Sequence, residues 1–111
     1  MLDTSPLTAV VERFADRLRA APQSRLQQGA AAAALELARD LAARARNLED
    51  LPPHEMPDAG IFVVGDQVAV AGQDLAQALR AAGEGGSAKA PSEMLDEAVR
   101  RVEQAEVRAM R

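Results

Sequence analysis

The sequence predicts an all-α fold, an antiparallel up-down four-helix bundle, on three observations. Its 111 residues hold 25 alanines, the best intrinsic helix formers and poor strand residues. Apolar residues recur at alternating steps of three and four along four separate stretches. Between the stretches lie proline- and glycine-rich segments that interrupt helix. The length suits a single helical domain spanning 1–111. With Phe14 and Phe62 as the only aromatics, the core is expected to be thin and closely spaced.

Helix one is expected over residues 6–20. Ser5 suits an N-cap and Pro6 the first helical position, where no N–H bond is needed. Leu7, Val11, Phe14, Leu18 and Ala21 then mark one face, while Arg13 and Arg17 fall outside it. After "APQS", Ser24 and Gln27 have the spacing of a capping box, opening helix two over about 25–48. Its face runs through Leu26, Ala30, Ala34, Leu37, Leu41 and Leu48, widened by Leu35, Ala38, Ala42 and Ala45. Residues 51–57, "LPPHEMP", carry three prolines and read as a stiff, extended connection.

The run "GIFVVGDQVAVAGQDLAQALRAAG", residues 60–83, allows two readings. Ile61 to Val64 are good strand formers and Gly65-Asp66 suits a two-residue turn, so a β-hairpin at residues 61–70 is the alternative. The longer pattern favours a helix. Ile61, Val64, Val68, Ala71, Leu75, Ala78 and Ala82 keep the three–four rhythm well past any hairpin, and a lone hairpin is marginal. Helix three is therefore expected over 60–82, with Gly65 and Gly72 permitting close approach to a neighbour. "GEGGSAKA" reads as a linker, and helix four is expected over 92–110 with Leu95, Ala98, Val102, Ala105 and Ala109 inward. Connections of about three, eleven and eight residues suit an antiparallel bundle. The longer helix two overhangs helix one, so the proline segment or a second copy of the chain is expected to cover its end.

The absence of cysteine removes disulfides, thiol chemistry and cysteine-ligated metals, and fits a cytoplasmic protein. The N-terminal residues have neither the basic nor the apolar part of a signal peptide, and no stretch is apolar enough to span a bilayer. Net charge is −4 and the arginines alternate with acidic residues, so neither nucleic acid nor a membrane is expected as a partner. Twelve arginines against one lysine, with abundant alanine and glycine, look like the codon usage of a GC-rich bacterial genome.

No catalytic constellation emerges. The only histidine, His54, stands among prolines beside Glu55, which excludes the paired Glu-x-x-His motifs of a di-iron bundle. Thr4, Thr8, Ser5, Ser24, Ser87 and Ser92 lie in no nucleophile motif, and the glycine-rich linker lacks the features of a phosphate loop. The acidic residues Glu93, Asp96, Glu97, Glu103 and Glu106 alternate with Arg100, Arg101 and Arg108, as on a solvated, ion-paired face. No catalytic, cofactor-binding or metal-binding residue is expected, and no cofactor. The candidate interaction residues are Asp66, Gln67, Gln73, Asp74 and Gln77, a polar stripe of fixed hydrogen-bonding groups on helix three. The expectation is a non-enzymatic interaction, regulatory or adaptor protein that self-associates through helices two and three, as a homodimer. The alternative is a small-ligand binder or enzyme in which that stripe turns inward with His54 over its mouth.

Overall fold

A computed structural model describes residues 2–84 and 90–111. Of the linker expected at 83–90, residues 85–89, with Ser87 and Lys89, lie outside the described residues. Four helices pack together as an all-α bundle, and no strand occurs among the described residues. Helix α1 is Ser5–Ala20. Helix α2 covers 23–48 in three pieces: Gln23–Arg25, a widened turn at Leu26–Ala30, and Ala31–Leu48. Helix α3 is Val64–Glu84 and α4 is Pro91–Ala109.

The expected caps are replaced by local alternatives. Ser5 is the first residue of α1, and the Asp3 carboxylate accepts its N–H at 3.0 Å. At α2 the Pro22 carbonyl already accepts from Arg25 and Leu26, so Ser24 sits inside the first turn and forms no capping box. Inside α2, Gly29 adopts φ 133°, which L side chains rarely reach, and kinks the helix. A positive φ of 102° at Gly60 keeps residue 60 out of helix, so α3 starts at Val64 rather than at 60. Ile61, first in the expected heptad series, stays in the turn yet packs half-buried against the core.

Side-chain neighbours fix the helix directions. Along α1 and α3, Thr4 meets Arg80, Val11 meets Gly72 and Arg19 meets Asp66, so the two are antiparallel. Along α2 and α4, Arg44 meets Glu97 and Glu36 meets Arg108, again antiparallel. Helices α2 and α3 run the same way. Ala31 and Leu35 share a hollow with Ile61 and Val64, while Ala42 and Ala45 share one with Asp74 and Ala78. The up-down alternation expected throughout thus holds for α1–α2 and α3–α4 but not across the connection 49–63. The reason is length and stiffness. The ten residues 51–60 lie outside any helix or turn, and at about 3.1 Å per residue an extended chain of that length reaches about 31 Å, enough to span the roughly 27 Å of an 18-residue helix. The segment therefore works as a strap that carries the chain back along α2 before α3 begins.

The core is formed from the predicted faces, with Phe14, Leu7, Leu41, Leu75, Leu79, Val11, Val68 and Val102 at its centre. At Gly72, α1 and α3 approach closely: a Cβ there would lie 2.5 Å and 2.7 Å from the two γ-carbons of Val11. Both glycines of α3 thus serve helix contact, as their positions suggested. Glu106 departs from the expected solvated face. Its side chain is 8% exposed, gripped by Arg13 at 2.7 Å and Arg17 at 3.1 Å. Burial alone would raise its carboxyl pKa. Hydrogen bonds and charge from the two arginines outweigh that and hold it below the usual value.

Candidate functional site

An open groove of about 650 Å³ lies between the second halves of α2 and α3, walled by the strap. Its direction follows from the parallel helices. They leave a seam that α4 does not cover, and the strap crosses beside it. Alanines form the floor, Ala42 and Ala45 from α2 and Ala78 and Ala81 from α3. Small side chains at these positions hollow the seam where leucines would fill it. Leu51, Met56 and Pro57 supply an apolar wall. The polar groups are Arg46 and Glu49 from the end of α2, His54 from the strap, and Asp74 and Gln77 from α3.

The strap is held by side chains donating to its carbonyls. Arg46 Nε donates to Pro52 at 2.6 Å and Arg39 Nε to Met56 at 2.9 Å. Gln67 Nε2 donates to Pro57 at 2.9 Å. Proline-rich backbone offers these acceptors because its carbonyls have no helical or sheet partners. The turn where α2 gives way to the strap has Asp50 at φ 56°, and Leu51 N–H closes it onto the Arg46 carbonyl at 2.9 Å.

The five candidate residues divide. Asp74 and Gln77 line the groove together with His54. Asp66 does not; it is exposed at the start of α3 and paired with Arg19 at 2.7 Å. Gln67 is half-buried and serves the strap. Its Oε1 is buried without a hydrogen-bond partner, and nothing in the structure accounts for that. Gln73 is exposed and outside the groove lining. Arg39 and Arg46, which position the groove wall, appear in the sequence only as arginines among the acidic residues of mixed-charge helix faces. No local signal marks them, because their acceptors are backbone carbonyls up to 17 residues away.

Among the described residues, no group of three or more His, Asp or Glu is placed to hold a metal ion. Nor is any described helix long and apolar enough to cross a membrane. Asp74 and Gln77 make no side-chain hydrogen bond to another described residue, so their polar groups remain available at the groove. No protein-family model, curated protein or solved structure matches the chain.

Proposed function

We propose that this chain is a non-enzymatic interaction module, an adaptor or regulator, that holds a segment of a partner protein in the groove between α2 and α3. The observation that carries the reading is the pairing of an alanine floor with Asp74 and Gln77, whose side chains have no partner among the described residues. Small floor residues admit a partner backbone closely, and the unpartnered polar groups at the edge are free to pair with it and set its register. The acidic groups Glu49 and Asp74 outnumber Arg46, whose Nε is engaged by the strap. That balance and the net charge of −4 favour a protein over a nucleic acid. With no cysteine in the chain, we place the interaction in the cytoplasm.

The test is affinity capture from the source cell with three baits: the wild type, the groove variant Asp74→Lys/Gln77→Lys, and Gln73→Lys, which lies off the groove. A partner retained by the wild type and Gln73→Lys but lost by the groove variant supports the reading. Identical capture by all three baits contradicts it.

A second reading has its own observation. His54, Asp74 and Gln77 converge on one cavity of about 650 Å³, within the size range of small-molecule sites. A metabolite-sized ligand there would raise the melting temperature of the wild type and not of Asp74→Ala. A screen in which Asp74→Ala responds as the wild type does counts against this reading.

A further inference from the structure

Phe62 is 71% exposed, in a chain whose only other aromatic, Phe14, is fully buried. Beside it on the surface is a second hollow of about 290 Å³, lined by Leu26, Ala31, Leu35, Ile61 and Val64, with Gln27 and Asp58 at its rim. Phe62 does not line this hollow, although its neighbour Ile61 does. The turn explains why. Val63 N–H is bonded to the Gly60 carbonyl at 3.2 Å, and Gly60 holds a positive φ, so the backbone carries residue 62 outward from its own hollow. One face therefore presents an apolar projection next to an apolar recess.

We propose that this face is a docking surface for a second copy of the chain, each copy seating Phe62 in the other's hollow. A projection and a recess side by side on one surface are what a two-fold axis between them requires, since each contact is made twice. Val63, 40% exposed, extends the contact. The rim brings little charge: the Asp58 carboxylate already accepts the Gly60 N–H at 2.9 Å. Area sets the strength. Two phenylalanines bury about 300–500 Å² between them, and the recess walls a similar amount. The total lies below the roughly 1,200 Å² of stable complexes, so the dimer is weak and reversible. The surface lies about 20 Å along α2 from the groove, measured from Ala31 to Ala45, and does not depend on the groove reading.

The chain contains no tryptophan or tyrosine, so Phe62→Trp creates a unique fluorescent reporter at the projection itself. Sedimentation of the wild type between about 10 µM and 1 mM is expected to show mass rising from monomer towards dimer. Emission of Phe62→Trp is expected to shift to the blue over the same range. Phe62→Asp removes the projection. Ala32→Phe fills the recess from an exposed position that lines it. Each is expected to weaken association at least tenfold, with melting curves confirming an intact fold. A wild type that stays monomeric throughout, with tryptophan emission fixed at its water-exposed position, overturns the proposal. A dimer that neither variant weakens also overturns it, because association then uses another face.

Discussion

Gly72→Ala puts the contact between α1 and α3 under direct strain. In an unobstructed helix interior this change stabilises by about 1 kcal/mol. Here the new methyl would lie 2.5 Å and 2.7 Å from the two γ-carbons of Val11, where comfortable carbon contacts lie at about 3.5–4.0 Å. Val11 is 1% exposed and sits in α1. A valine in a helix strongly prefers one rotamer, and rotating it clears only one of the two methyl positions while the other stays occupied. Relief therefore requires α1 and α3 to separate. Overpacking of this kind costs about 1–3 kcal/mol. With a direct clash on both methyls the upper end applies, so the net loss is about 2 kcal/mol after the propensity gain. For a chain of this size that lowers the melting temperature by about 8 °C, read by circular dichroism. Gly65→Ala should lose less, because one of its two contacts at 3.2 Å is the movable Arg19 stem, although the Ala15 carbonyl is not movable. Val11→Ala combined with Gly72→Ala should be more stable than the summed single effects by about 1 kcal/mol or more. A Gly72→Ala protein that melts higher than the wild type would refute the close approach.

Three further outcomes follow from other contacts. Glu106→Gln removes the carboxylate held by Arg13 and Arg17 and should cost about 2 kcal/mol at neutral pH. Because the folded carboxyl titrates below its ordinary value, the unfolded chain takes up its proton first as pH falls. The stabilisation is full above the ordinary carboxylate range and is lost on descent towards the lower folded value. The wild type should accordingly lose more melting temperature than Glu106→Gln between about pH 6 and pH 3, and equal losses would contradict the assignment. Gly29→Ala meets no atom within 4 Å yet forces an alanine to φ 133°, so it should destabilise by about 1–3 kcal/mol; a neutral result would mean that α2 straightens. Arg46→Ala frees the Pro52 carbonyl and should speed amide exchange at Leu51, whose N–H closes the turn, while Leu37 and Leu41 stay protected.

Much of this architecture was legible in the residues. The three–four rhythm from Val64 to Ala78 placed α3 and outweighed the strand-forming Ile61–Val64, because a heptad pattern sustained over about four turns is harder to meet by chance than a short alternation. The roles of Gly65 and Gly72 were visible from their place beside core positions. What spacing does not encode is direction. An apolar face serves a parallel or an antiparallel neighbour equally well, so the common heading of α2 and α3 depended on how far the strap extends. The Gly29 kink was hidden in an alanine-rich run whose periodicity continues through it. Glu106 could have been noticed: it stands four residues after Val102 and three before Ala109, on the edge of the buried face. The site was half legible. Asp74 and Gln77 do share a cavity with His54, but Asp66 and Gln67 found partners, Arg19 and Pro57, that only the fold brings near.

The groove exists because α2 and α3 run the same way with the strap beside them, and one measurement tests that directly. The chain has no cysteine, so Gln77→Cys accepts a single paramagnetic label. Broadening is predicted for the amides of Ala42–Arg46 on α2 and of His54–Met56 in the strap, with Leu26–Ala31 left sharp. Broadening of Leu26–Ala31 with Ala42–Arg46 left sharp would mean that the two helices run in opposite directions and that the groove does not form.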